Sequence, residues 1–213
     1  MERIICVLIG YLFGLLQTGY FIGRLNNVDI RKMGSGNAGT TNALRTLGKR
    51  AGAVTLLGDC FKCVAAVLLV HFIFGNGAAD LLPVLSMYAG AGVILGHNFP
   101  FYLGFKGGKG IAATAGLIIS TTNIWIVLIC LVAFVGIVAI SRYVSVGSLL
   151  VVSIFFAAVV ILGQNGYYHT TGRYLGEIYG VAFFVVIIAF FQHRENIKRL
   201  IKGNENKIGA KKK

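Results

Sequence analysis

Charged residues are scarce in this chain, at 13% of its 213 residues, where a soluble domain carries roughly 25%. The shortfall excludes an ordinary water-soluble fold, because a larger core alone would not account for it; the solvent must be lipid. Acidic residues are scarcest, with seven Asp and Glu against 20 Lys and Arg and a net charge of +13. That balance would suit nucleic acid, but no basic groove interleaved with aromatics is present. The Lys and Arg sit in short stretches between apolar segments, as membrane-flanking charges do, so nucleic acid is not expected as a partner. No second Cys pair accompanies Cys60 and Cys63, so their Cys-x-x-Cys spacing lacks the other half of a zinc site. All four cysteines lie in apolar runs and read as small hydrophobes. Neither Gly-x-Ser-x-Gly nor a Ser-His-Asp arrangement is readable, which sets aside the serine-hydrolase designs. No small-residue cleavage site follows the apolar run from Ile4, so that run is expected to be a retained span, not a signal peptide.

What is abundant is apolar: 56% hydrophobic residues with a mean hydropathy of +0.78, and 29 glycines against two prolines. Glycine at that level is common in membrane helices, where small residues let backbones approach. Runs of about 20 apolar residues are read as spans: Ile4 to Leu25, Ala51 to Phe74, Leu81 to Leu103, Val144 to Leu162 and Gly176 to Phe191. The stretch Ile111 to Ile140 is too long for one ordinary span and is broken by Ser120-Thr121-Thr122-Asn123.

Positive residues prefer the cytoplasmic side of short loops. Arg24 to Arg50, Lys106 with Lys109, Arg142 and the tail share a side only if Ile111 to Ile140 is a helical hairpin turning at Thr121 to Asn123. The reading is therefore an all-α integral membrane protein of seven transmembrane helices with a short helical hairpin in the middle. The N-terminus is outside and the C-terminus cytoplasmic, in one membrane-embedded domain over 1–213 whose residues 193–213 form a cytoplasmic helix and basic tail. Of the 20 Lys and Arg, only Arg3 and Arg173 then fall outside, with Lys62 inside a span. The fourth crossing is short of apolar residues, so the glycine-rich loop before it is expected to be partly embedded.

Three polar or glycine-rich stretches converge on the cytoplasmic side. Gly34-Ser35-Gly36-Asn37-Ala38-Gly39-Thr40-Thr41-Asn42, with Arg45 beyond it, has the makings of an anion nest, and Arg45 can add a bidentate fork to phosphate. Gly96-His97-Asn98-Phe99-Pro100 leads to Phe105-Lys106-Gly107-Gly108-Lys109-Gly110, which is no Walker A but sets two lysines beside three glycines. His193 to Leu200 is expected to continue the last span as a helix, with His193, Asn196 and Leu200 on one face. Asp59 and Lys62 lie three residues apart inside the second span, where charges are costly, and are read as a paired bridge. His71 and His169 are read as incidental polar residues.

These stretches resemble PlsY-type bacterial glycerol-3-phosphate acyltransferases: Arg31 to Gly48 with GSGNAGTTNALR, Gly96 to Gly116 with GHNFP and GFKGGKG, and His193 to Gly209 with HRENIKRLIKGNENKIG. The resemblance implies a multi-pass enzyme of the cytoplasmic membrane, with membrane lipids around it and no cofactor or metal. It would move an acyl group from acyl phosphate to the 1-hydroxyl of glycerol 3-phosphate, giving lysophosphatidic acid and phosphate. Ser35, Arg45, Lys106 and Asn196 would hold the phosphates. Lys106, with nearby N–H groups, would also steady charge developing on the acyl carbonyl and leaving phosphate. His193 would orient the acceptor or act as its base, with a bound phosphate as the alternative proton acceptor. Gly36, Asn37, His97, Gly107, Gly108, Lys109 and Ser145 would complete the binding set. The common acyltransferase signature, His four residues before Asp, is missing. Cys63 stands where the family usually has Gly, and Ala113 where it usually has Thr; both exchange small for small. A small anion transporter or channel is the competing class, but the outer half is poor in charge.

Overall fold

The computed structural model describes residues 1–77 and 79–209; the last four residues expected in the basic tail lie outside them. Among the described residues there are ten α-helices, two short 3-10 turns and no strand. The helices are α1 (Glu2–Gly14), α2 (Thr18–Leu25), α3 (Thr40–Leu47), α4 (Lys49–Phe74) and α5 (Leu82–Asn98). They continue with α6 (Ile111–Thr121), α7 (Ile124–Ser141), α8 (Val144–Gln164), α9 (Gly172–Gln192) and α10 (Arg194–Ile201). Among the described residues, five stretches are long and apolar enough to cross a membrane: α1 with α2 taken together, α4, α7, α8 and α9.

The first span is not one helix. It breaks between Gly14 and Thr18, at the one amide side chain in the run, Gln17. That side chain is wholly buried and donates to Gly14 O at 3.1 Å and His97 O at 2.9 Å. Lys62 on α4 covers the same break, donating to Leu16 O at 2.7 Å and Gly14 O at 3.3 Å. Two buried side chains thus satisfy Gly14 O and Leu16 O, carbonyls that an unbroken helix would have bonded itself.

α1 packs most extensively on α5. The reason is a stripe of glycines: a Cβ at Gly10 would run into Ala89 O, and one at Gly92 into Val7 O. With no side chains between them, the two backbones come into direct contact, the small-residue packing of membrane helices. α5 starts with a proline in its first turn, Pro83, and ends at the residues before Pro100, so it is shorter than the expected Leu81 to Leu103.

The long stretch divides at Thr121 to Asn123 as expected: α7 begins after Asn123, whose side chain accepts from Ile126 N at 3.1 Å. The two halves pack differently. α6 lies on α4 and α5 in the core, whereas α7 packs on α8 and leaves most of its surface exposed. The core joins α4, α5, α6, α8 and α9 around Met87, Leu117, Phe155 and Ile178. Cys63 and Ala113 are fully buried within it, and Cys63 lies against Gly116, where only a small side chain fits. One expectation is corrected. The third motif does not continue the last span: the chain turns at His193, and α10 is a separate helix.

Candidate active site

A cavity of about 530 Å³ opens among α3, α4, α6, α7, α8 and α10, and its lining includes residues of all three motifs. The first motif supplies Ser35, Gly36, Asn37, Thr40 and Arg45. Its loop is organised by one buried residue, Asn42. The Asn42 amide donates to Ile30 O, Met33 O and Asn37 O at 2.9, 3.0 and 2.9 Å, and its carbonyl accepts from Ser35 N at 2.8 Å. The chain wraps this side chain by passing Gly34 and Gly36 through left-handed geometry, φ 60° and 73°. The anion-nest expectation is revised accordingly. Gly36 N bonds Met33 O and Gly39 N bonds Asn37 Oδ1, so these N–H groups are already used. Donors still open to an anion include those of the first turn of α3, at Thr40 and Thr41, which lack intrahelical acceptors by position.

The second motif is corrected more sharply. Gly107 N and Gly108 N donate to Asn98 O and His97 O, both at 3.1 Å, fastening the loop onto the end of α5. A Cβ at Gly107 would strike His97 O, and one at Gly108 the His97 ring. These glycines permit close approach and do not themselves line the cavity, and Lys106 is exposed and outside the lining. The lysine inside is Lys109, which donates to Asn196 Oδ1. Burial, with the charges of Arg199 and Arg45, pulls the Lys109 ammonium down to about 8 against the opposing pull of Glu205. His97 lines the cavity.

The third motif supplies His193 and Asn196, and α8 supplies Ser145, all nearly buried. His193 Nδ1 lies 2.8 Å from Ala189 O, so Nδ1 carries the proton and Nε2 keeps its lone pair. Burial and the neighbouring Lys109 charge push His193 down to about 4, so the ring is neutral at pH 7. The tail then turns back. Glu205, whose side chain is 5% exposed, accepts from Asn196 Nδ2 at 2.7 Å and Ser145 Oγ at 3.3 Å, and pairs with Arg199 at 2.7 Å. Arg45 reaches Asn206 O at 3.3 Å. The same lining also carries apolar side chains, Leu56, Phe134, Val138 and Val144.

Comparison with known proteins identifies the scaffold. The family model described as glycerol-3-phosphate acyltransferase matches residues 4–203. The chain is 42% identical to a glycerol-3-phosphate acyltransferase of Clostridioides difficile, over 98% of this chain and 97% of that protein. It is 38% identical to one of Geobacter sulfurreducens, over 99% and 100%. The chain belongs to the glycerol-3-phosphate acyltransferase family. Its fold is similar to that of PlsY (YgiH), described as an integral membrane glycerol 3-phosphate acyltransferase, in the glycerol 3-phosphate form. The TM-score is 0.82 at 30% identity, covering 98% of this chain and 96% of that one. The lysophosphatidic acid form of PlsY matches with a TM-score of 0.80.

Of the residues singled out in the sequence, the acyltransferase scaffold brings Ser35, Gly36, Asn37, Arg45, His97, Lys109, Ser145, His193 and Asn196 into one lining. It leaves Lys106, Gly107 and Gly108 out. Asn42, Arg199 and Glu205, which lie within the quoted stretches, were given no role of their own from the sequence. Glu205 had a visible signal, as the one acidic residue in the sequence after Ile201, where α10 ends.

Proposed function

We propose that this chain transfers a fatty acyl group from acyl phosphate to the 1-hydroxyl of glycerol 3-phosphate at the cytoplasmic face of the cell membrane, releasing lysophosphatidic acid and phosphate. The observation that carries the reading is the composition of the cavity: cationic and N–H donors share one lining with the apolar side chains of Leu56, Phe134, Val138 and Val144. Two phosphate-bearing molecules, one with a fatty chain, need that combination.

The topology we propose has seven crossings, with α5 and α6 added to the five long spans, the N-terminus outside and the tail inside. At about 1.5 Å per residue, the 11 residues of α6 reach only roughly half of a 30 Å hydrocarbon core. The glycine loop ahead of α6 then lies below the lipid surface. Irregular backbone is tolerated there because it borders a wet cavity.

Ser35, Arg45, the first turn of α3 and Asn196 are proposed to hold phosphate oxygens, with Gly36 and Asn37 shaping that wall. Lys109 takes the role expected of Lys106, facing the carbonyl oxygen and leaving phosphate where negative charge develops. Ser145 lines the same wall. The acyl chain lies along Leu56, Phe134, Val138 and Val144. The acceptor hydroxyl oxygen attacks the acyl carbon, and collapse of the tetrahedral intermediate breaks the bond from that carbon to the phosphate oxygen. The hydroxyl proton goes to a phosphate. His193, held at about 4, is a weaker base than a phosphate monoester, whose second pKa is about 6. His193 Nε2 therefore accepts a hydrogen bond that orients the hydroxyl.

Purified protein supplied with glycerol 3-phosphate and, separately, acyl phosphate, acyl-CoA and acyl carrier protein tests the donor. Lysophosphatidic acid from acyl phosphate alone is expected; turnover confined to a thioester donor would sink the proposal.

A further inference from the structure

We propose that Lys62, buried in the membrane-spanning α4, is a positioning residue that acts through His97. It fixes which imidazole nitrogen carries the proton and so presents His97 Nε2–H to the cavity as a neutral donor to a substrate oxygen. The choice of substrates rests on the acyl-transfer reading above; the protonation geometry does not.

Lys62 Nζ sits between four acceptors: Leu16 O at 2.7 Å, His97 Nδ1 at 2.8 Å, Asp59 Oδ1 at 2.9 Å and Gly14 O at 3.3 Å. Its side chain is 3% exposed and that of Asp59 1%. A lone ammonium at such a place is costly. This one has a carboxylate in contact and carbonyls released by the break in the first span, acceptors that favour the charged form. An ammonium has three N–H donors and no acceptor. His97 Nδ1 must then accept, and the single proton of the neutral ring belongs on Nε2.

The surroundings fit an imidazole held at a fixed angle. The His97 carbonyl receives Gln17 Nε2 at 2.9 Å and Gly108 N at 3.1 Å, so the backbone is fastened from two elements. Asp59 Oδ1 also takes Thr18 Oγ1 at 3.0 Å, which ties the ion pair to α2. Nε2 lies on the far side of the ring from Lys62, next to Gly108, where any Cβ would overlap it. Both His97 and Asp59 belong to the cavity lining. A glycine at this position leaves room for the edge of the ring that carries the proton.

His193 has the opposite arrangement, with Nδ1 donating to Ala189 O. The cavity receives one imidazole as a donor and the other as an acceptor, and neither adds charge. A donor at His97 suits an anionic oxygen. Phosphate oxygens of glycerol 3-phosphate and those of acyl phosphate share that chemistry, and the kinetic arms below separate them. A Lys62 that only braced the break in the first span would not govern the proton of His97.

The chain holds four histidines, few enough to resolve by ¹⁵N-histidine NMR of the whole protein in bilayers at pH 7, with a His97→Gln variant to assign the signal. The expected His97 has a protonated Nε2 and a bare Nδ1. A protonated Nδ1, or an imidazolium, overturns the proposal. Lys62→Met, which keeps length but has no N–H, is expected to mix the two tautomers and lower kcat/KM. A lost hydrogen bond to a charged oxygen corresponds to roughly a ten- to a hundredfold decrease. A rise in KM for glycerol 3-phosphate places the oxygen on the acceptor, and a rise for acyl phosphate places it on the donor. A folded variant with an unchanged His97 tautomer, or with turnover within about threefold of the parent, overturns the proposal. Should Lys62→Met fail to fold, the parent protein still decides. The Nε2–H resonance is expected to shift on adding glycerol 3-phosphate or acyl phosphate, and no response to either contradicts the donor role. An intact Nε2–H in a protein unable to use acyl phosphate would count against the function proposed above and leave the tautomer assignment standing.

Discussion

Exchanging the two lysines of the glycine loop one at a time separates geometry from sequence pattern. Lys109→Met keeps the side chain's length and removes the ammonium that lies in the cavity against Asn196. With its pKa at about 8, the group is charged in about nine molecules of ten at pH 7. Removing one preorganised donor from a developing oxyanion costs roughly 10²–10³ in kcat, and that is the loss expected here. Lys106→Met removes an exposed charge outside the cavity. Exposed pairs contribute under about 1 kcal/mol, so the change should stay below about fivefold. The assay is formation of radiolabelled lysophosphatidic acid from acyl phosphate by purified variants at pH 7, with helix content checked by circular dichroism. Equal losses in the two variants, or more than about a tenth of normal turnover in Lys109→Met, would refute the assignment.

The Lys109 ammonium is charged below its pKa of about 8 and neutral above it, so kcat/KM should fall as pH rises through about 8. The limb in kcat should move upward, because bound phosphate favours the charged form; a profile flat to high pH would contradict both. Gly92→Ala places a methyl against the Val7 carbonyl and should destabilise by about 1–3 kcal/mol, read as a lower thermal midpoint in detergent. Gly136→Ala, which meets nothing within 4 Å on α7, should leave that midpoint unchanged or raise it. Glu205→Ala leaves Arg199 and Asn196 without their acceptor and should lower both stability and turnover; normal values for both would remove Glu205 from the site.

Much of this was legible in the sequence because apolar runs and basic loops follow directly from the bilayer's cost for charge. The division of Ile111 to Ile140 was forced by charge sidedness, and the helices part at the expected residues. The break at Gln17 was harder to see. One amide in an apolar run does not announce that α5 carbonyls and a lysine 45 residues on will meet it. The choice between Lys106 and Lys109 was likewise out of reach, because it depends on Gly107 and Gly108 pinning the loop to α5 and turning only the second lysine inward. Composition marked the glycines as an anion cradle, whereas their N–H groups are spent on holding the loop.

Transfer at the acyl carbon is open to a single isotopic measurement. Acyl phosphate carrying ¹⁸O in the oxygen that bridges carbon and phosphorus would be turned over by the purified chain with glycerol 3-phosphate, and both products weighed by mass spectrometry. The label is expected in the released phosphate and none in lysophosphatidic acid, one of each product per donor. Label retained on the acyl product, or phosphate released without lysophosphatidic acid, would contradict it.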